Sequence, residues 1–356
     1  RIPMIEHFSS STCGPCVSVN TTMGNLTNNN PGKFTYTKYQ MNWPGNGDPY
    51  YTEEGGVRRL FYGVNAVPNV VLEGTNLGAT SVSQAQLDSH YNTPSFADVR
   101  GSFNVDGNNI TVKVDFMAYY NMTTEKAFVT VNEKETHGNV GTNGETSFHH
   151  VFMKFLTDPS GDALNIPAGE CQHFEWTQNM AGTHVEEMSD LEVSAWIQNM
   201  ASQEVLNSHF MYEYTDIHPY PVQNFAIEEG EGGLTLTWDA PEGGNAVAYN
   251  VYLNGVLCAE NITETSLTYE CDYGFYAFAV EALYANEMTS VKIAKGVNYQ
   301  DHTSVAEAQE NAYSIYPNPT NSNITICGDE INMVEVYNIC GQKVMSVKAD
   351  SNNVNV

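Results

Sequence analysis

Cys13 and Cys16 flank a Gly14-Pro15 pair and follow the apolar run PMIEHF, which reads as a short buried strand. Two thiols at this spacing can close on each other as a disulfide, and a thiolate at either can attack a disulfide in another molecule. That chemistry requires negative charge on one sulfur to be stabilised. A helix starting at the motif supplies this, because unpaired N–H groups at a helix N-terminus favour a nearby anion by about 0.3–1 kcal/mol. Cys13, at the helix tip, is expected to be the attacking sulfur, and Cys16, one turn on and inward, the resolving one. Pro15 suits the first helical turn, where its missing N–H leaves nothing unpaired, and Gly14 leaves room for a second chain. Two other readings use the same residues. An inert bridge needs no accessible sulfur, and a zinc site needs two further ligands, for which the chain offers no second CxxC or suitably spaced His-Cys group. If the dithiol is the redox group, no cofactor and no metal are required.

The elements that must hold this pair alternate between strand and helix over residues 1–95. Cys16, Val19, Met23 and Leu26 recur at helical spacing until TNNNPG stops them. KFTYTKYQMN alternates as a strand. Val57, Leu60, Phe61 and Val64 mark one face of a second helix, and AVPNVVLEG reads as another strand. Ser83 with Gln86 predicts a capping box, with Val82 and Leu87 as its hydrophobic staple, for a helix reaching about Tyr91. NWPGNGDPYYTEEGG reads as an insert, either a lid or surface decoration. Beyond residue 96 the helical period is lost. SFNVDGNNITVKVDFMAYY predicts a hairpin about Asp106-Gly107, and four further alternating runs continue to LEVSAWIQN. TDIHPYPVQ is a Pro-rich junction, followed by a second all-β unit and then the polar linker NYQDHTSVAEAQEN.

The chain has 356 residues, with 42 acidic against 14 basic side chains and a net charge of −28. Such a charge repels phosphate backbones and anionic lipid, which argues against a nucleic-acid partner. No apolar run approaches the roughly 18 residues that would suggest a transmembrane helix. The opening at Arg1 lacks a charged-then-apolar leader, so the sequence reads as a mature exported chain. Cys258 with Cys271 and Cys327 with Cys340 form local pairs suited to an oxidising compartment, while Cys171 reads as a buried lone thiol. Neighbouring side chains on a strand point to opposite faces, so His149 and His150 are not expected to serve one metal with His173 or His184. Asp158, Asp162 and Glu170 follow no recognised calcium loop and read as parts of a solvated turn.

CGPC after a buried strand resembles the active site of thioredoxin-like oxidoreductases, and Val67-Pro68 in NAVPNVVLEG is similar to the cis-proline that faces the dithiol in that family. The resemblance implies exchange with protein disulfides, with Val67 and Pro68 presenting backbone to the substrate. His7 stands where the family carries a buried acid, six residues before the first cysteine, with Glu6 beside it. Either would assist proton transfer at Cys16, or His7 is a hydrogen-bonded core histidine. Thr12 replaces the family's usual Trp, removing part of the apolar docking surface. HHVFMKFLTDPSGDAL, IPAG and LEVSAWIQNMASQEVLNS look like the β-domain of the outer-membrane-protein-28-related family of Bacteroidetes, in which a thioredoxin-like unit precedes a β-sandwich. Trp238, Tyr249 and Tyr252 suit the core of a fibronectin type III module. IYPNPTNSNITI and VEVYNICGQKV resemble the C-terminal sorting domain of type IX secretion cargo, which implies that secretion machinery as a partner; the resemblance leads one to expect a further strand after Val356.

The expected fold class is therefore multidomain α/β plus all-β: a thioredoxin-like domain at 1–95, a β-sandwich at 96–218, a fibronectin type III-like domain at 219–300, and a linker with a truncated sorting domain at 301–356. The expected function is a secreted or surface-attached thiol–disulfide oxidoreductase. The alternative is a non-catalytic adhesin or assembly protein, contacting other surface proteins, with a relic thioredoxin-like scaffold.

Overall fold

The computed structural model describes residues 1–300, 313–316, 323–328, 331–349 and 352–356. The polar linker within 301–312 and Pro317 to Thr320 of the YPNPT motif lie outside these residues. The described chain divides into two compact units, the first comprising residues 1–222, 240–248 and 281–293.

In chain order the first unit contains β1 (Met4–Ser9), α1 (Cys16–Asn28), β2 (Thr35–Gln40), α2 (Glu53–Phe61), β3 (Asn69–Leu72), β4 (Thr75–Gly78) and α3 (Gln84–Tyr91). The strands β5 (Ala97–Asp106), β6 (Asn109–Ala118), β7 (Glu125–Thr136), β8 (Phe148–Phe155), β9 (Asp162–Ala163), β10 (Cys171–Asn179), β11 (Leu191–Asn199) and β12 (Val205–Phe210) follow. Residues that read as helix do so locally. Ser83 and Gln86 form the expected capping box of α3, and Val82 and Leu87 are buried beside it. The expected hairpin turns at Gly107, whose φ of +58° favours glycine.

The expected α/β fold with an N-terminal thioredoxin-like domain is not what forms. The described chain is mostly strand with three α-helices, and β1–β4 do not close a domain of their own. They belong to one sheet ordered β12-β11-β7-β8-β2-β1-β3-β4, with β9 added beside β7. The seam is Lys38 of β2, paired parallel with Val151 of β8. The physical reason lies in the edge of β2. An unpaired strand edge is a row of unsatisfied donors and acceptors, and here it is filled by a strand lying more than a hundred residues further on. Periodicity reports what each strand is, not which strand covers its edge.

One face of this sheet carries the three-stranded sheet β10-β6-β5 over a core that includes Val99, Phe103, Val114, Val129, Val151 and Val193. Helices α1 and α3 cover β1, β2 and β3 through Ile5, Val19, Met23, Tyr36, Val70 and Leu87. A third cluster, on the α2 side, joins Phe8, Tyr39, Phe128, Phe152 and Trp196. The expected apolar face of α2 buries only in part: Val64 is buried and Phe61 packs against the third cluster, but Val57 and Leu60 are exposed, Leu60 by 67%, whereas Arg58 is buried and faces Glu6.

The second unit comprises residues 223–239, 249–280 and 294–356. Two of its sheets are β13-β14-β17 and β16-β15-β18-β19. These are built from β13 (Gln223–Gly230), β14 (Gly233–Asp239), β15 (Ala248–Leu253), β16 (Val256–Ile262), β17 (Ser266–Glu270), β18 (Gly274–Leu283) and β19 (Ile293–Tyr299). Trp238 and Tyr249 are buried, with ring centroids 5.5 Å apart. Beyond them, β20 (Tyr313–Tyr316), β21 (Thr325–Gly328) and β24 (Asn353–Asn355) form a small sheet. A hairpin joins β22 (Met333–Tyr337) to β23 (Lys343–Lys348). Cys258 and Cys271 carry free thiols rather than a staple. Cys327 likewise does not bridge Cys340; its Sγ lies 3.2 Å from Tyr316 Oη.

Candidate functional site

Cys13 and Cys16 form the one disulfide among the described residues. The turn carrying them begins at the C-terminal end of β1, where the Cys13 N–H donates to Ser10 O, and α1 starts at Cys16 without a side-chain cap. In place of a side-chain cap, the turn's own carbonyls take the first N–H groups: Val17 N–H donates to Gly14 O at 3.3 Å, and Cys16 N–H to Cys13 O at 3.2 Å. The Cys16 N–H is shared, reaching Cys13 Sγ at 3.2 Å as well as that carbonyl. Cys13 Sγ also lies 3.5 Å from the carbonyl oxygen of Val67. Val67-Pro68 is a cis peptide, as is Trp43-Pro44. Cys13, Cys16, Val67 and Pro68 therefore meet in space although more than fifty residues separate the two pairs.

The sulfur is not open. Cys13 is 1% and Cys16 0% exposed, while Gly14 and Pro15 between them are exposed. Two segments press on residues 11–13. From the insert at 42–56, Asp48 accepts from the Ser11 N–H at 2.8 Å and Pro44 O accepts from the Thr12 hydroxyl at 2.7 Å. From the loop between β7 and β8, the Asn143 N–H donates to Ser11 O at 3.0 Å and its side chain reaches Cys13 O at 3.5 Å. Gly141 packs so closely there that a Cβ would sit 2.4 Å from Ser11 O. This covering, in which the insert at 42–56 takes part, differs from the accessible sulfur expected from sequence.

Strand alternation separates the two candidate proton carriers. Glu6 lies on the α2 face, where both carboxylate oxygens accept from Arg58 at 2.9 and 2.7 Å and from the hydroxyls of Tyr39 and Tyr62. His7 falls with Ile5 on the α1 face, fully buried, its Nδ1 2.6 Å from Tyr36 Oη. Burial, and then the charge of Lys38, hold His7 well below the usual imidazole range. It is neutral at physiological pH and a weak proton acceptor. Lys38 shares this face of the sheet in register with His7. Burial pulls its ammonium down to about 8 against the opposing pull of Glu145 and Asp48.

A polar cavity of about 490 Å³ lies alongside α1, lined by Tyr36, Lys38, Glu145, His149, His150 and Glu192 among others. His149 and His150 both line it, contrary to the alternation expected of a strand, because His150 has φ +57° and breaks the pleat. His150 Nδ1 lies 2.7 Å from Glu192. Asp158 and Asp162 form a turn, with Asp158 bonded by Ser160 and its N–H donating to Asp162.

Sequence reasoning missed a further cluster. Asp115 of β6, His173 of β10 and His218 of the Pro-rich junction bring three ligand atoms within 4.8 Å of one another. No spacing rule could have found it, because its members come from three separated segments.

Residues 314–356 match the secretion system C-terminal sorting domain. None of the curated proteins matches the chain. Among solved structures, a structural-genomics protein from Agrobacterium tumefaciens is 14% identical with a TM-score of 0.41, covering 60% of this chain and 95% of its own. The fibronectin(III)-like modules of Clostridium thermocellum CbhA are 8% identical at 0.22, covering 57% and 94%. The central fibronectin-III array of RIM-binding protein is 9% identical at 0.21, covering 74% and 89%. At these scores none carries an argument about this chain. No helix among the described residues is long and apolar enough to cross a membrane. The sorting domain, of the type IX class, marks this chain as one that engages the secretion machinery and is exported to the cell surface or outer membrane.

Proposed function

We propose that this exported protein carries out thiol–disulfide exchange at Cys13 and Cys16, with Asp48 and the loop through Asn143 limiting access to the pair. The observation that carries the reading is the Cys16 N–H at the start of α1, which reaches Cys13 Sγ at 3.2 Å while also bonded to Cys13 O. A hydrogen bond to the charged form favours it, so the Cys13 thiolate is the better leaving group and nucleophile of the two. From the oxidised state, a substrate thiolate attacks Cys13 Sγ, the Cys13–Cys16 bond breaks, and Cys16 departs as a thiolate that takes up a proton. A second substrate thiolate then attacks the substrate sulfur of the mixed disulfide. The substrate leaves oxidised and the Cys13 thiolate is released, two electrons having passed to the protein. The reverse sequence reduces a substrate disulfide. The exposed Gly14-Pro15 edge and the Val67 carbonyl would receive the substrate backbone. His7, neutral and weakly basic, would assist at most modestly.

The 1% exposure of Cys13 supports a second reading, a permanent fastener in a surface adhesin or assembly protein. Equilibrating the full chain with glutathione buffers and trapping thiols separates the two. An exchanging couple titrates at a potential above about −300 mV, loses all activity in Cys13→Ser, and reacts faster in Asn143→Ala, which loosens the covering loop. A pair that stays oxidised below that potential in both wild type and Asn143→Ala establishes the fastener.

A further inference from the structure

The outer face of the β10-β6-β5 sheet carries a cluster that the dithiol does not use. Val114 and Phe116 of β6 point into the core, so the intervening Asp115 points away from it, and His173 stands opposite Asp115 in the register of β10. The Pro-rich junction brings His218 onto the same carboxylate. His173 Nδ1 lies 2.7 Å from Asp115 Oδ1, and His218 Nε2 lies 2.8 Å from Asp115 Oδ2. Asp115 and His218 side chains are 1% exposed, whereas His173 is 35% exposed. Two imidazole nitrogens and a carboxylate oxygen thus converge beside the Tyr220 ring, with His173 the member that reaches solvent.

The outer partners fit ligation. Metal-bound histidines generally engage the second ring nitrogen with a neighbouring polar group, which fixes the tautomer. His218 Nδ1 lies 3.2 Å from Ser102 Oγ, so a proton held there leaves the Nε2 lone pair facing the cluster. His173 can keep its own second nitrogen toward solvent. Nitrogen and carboxylate donors in a three-ligand set, with a position left for water, suit zinc and its first-row neighbours rather than the all-oxygen shells of calcium or magnesium.

We propose that Asp115, His173 and His218 bind one divalent transition-metal ion of the zinc class. Bound there, the ion ties the 215–222 junction to the sheet. The test uses the untagged full chain with Zn²⁺ or Co²⁺ as the probe. One equivalent of zinc per chain should survive dialysis and raise the melting temperature, and Co²⁺ should give the visible absorption of a low-coordinate site. His173→Ala, at a half-exposed position, should melt near the metal-free wild type yet lose the zinc-induced shift and the cobalt bands. His218→Gln should lose them also. Equal zinc binding and equal cobalt spectra in wild type and His173→Ala, or no retained metal in wild type, overturns the assignment.

Discussion

Arg58→Ala should be among the most damaging single substitutions in the first unit. The guanidinium and the Glu6 carboxylate are each 1% exposed and form a paired contact, Nε to Oε1 at 2.9 Å and Nη2 to Oε2 at 2.7 Å. Gln198 and Tyr62 take further bonds from Nη2, and the guanidinium lies 4.4 Å from the centre of the Phe128 ring. Truncation leaves the Glu6 carboxylate buried with only the Tyr39 and Tyr62 hydroxyls to offset its charge. Breaking a buried pair from one side costs about 3–5 kcal/mol. With a urea slope of about 3 kcal/mol/M, the midpoint should fall by roughly 1.3 M. The double variant Glu6→Gln/Arg58→Met removes both charges together and should recover at least half of the loss, since a buried pair exchanged for neutral groups of like volume is often close to neutral. Urea unfolding of the wild type, Glu6→Gln, Arg58→Met and the double variant, with Arg58→Ala alongside, measures the coupling directly. A loss below about 1 kcal/mol in Arg58→Ala, or a double variant as unstable as the sum of the singles, would refute the claim that mutual compensation holds this face together.

Two further outcomes follow from buried features elsewhere. Lys38 has a folded pKa of about 8 against 10.5 unfolded, so below pH 8 both states are charged and the folded state carries the whole penalty, about 3 kcal/mol. Between pH 8 and 10.5 the unfolded chain holds more protons and stability should rise; Lys38→Met should be more stable at pH 7 and flatten that rise in denaturation curves taken across the window, and an unchanged slope would show that Lys38 is not its source. Gly74 has φ +83°, and a Cβ there would sit 1.7 Å from Gln203 O, so Gly74→Ala should cost roughly 2–4 kcal/mol in melting experiments. Gly78→Ala, at φ +66° with nothing within 4 Å, should cost distinctly less, and equal losses would mean that backbone strain rather than the close approach dominates.

What sequence could show was set by range. The Ser83–Gln86 capping box and the turn at Gly107 are complete within four residues, and both read correctly from the chain. The C-terminal sorting domain was equally legible, because its motif is contiguous. Leu60 was misread because helical period weighs side chains by type, whereas α2 buries Arg58, whose partner Glu6 is 52 residues away. The domain at 1–95 was misread for the same reason on a larger scale, since the edge of β2 is completed by β8.

The Cys13–Cys16 pair shows the limit most sharply. Sequence placed Cys13 at a helix start, and the geometry of that start lies within four residues. Whether a second molecule can reach the sulfur depends on Asn143, 130 residues further along, and on Asp48. A helix terminus can make a thiolate cheap to form without making it accessible, because the first property is electrostatic and local while the second is steric and set by whatever the rest of the chain lays across it. On the proposed exchange, intrinsic reactivity at Cys13 would belong to its turn, and rate to the β7–β8 loop and the Asp48 segment. Substitutions in the two places should change different observables: potential at the turn, and exchange rate at the loop.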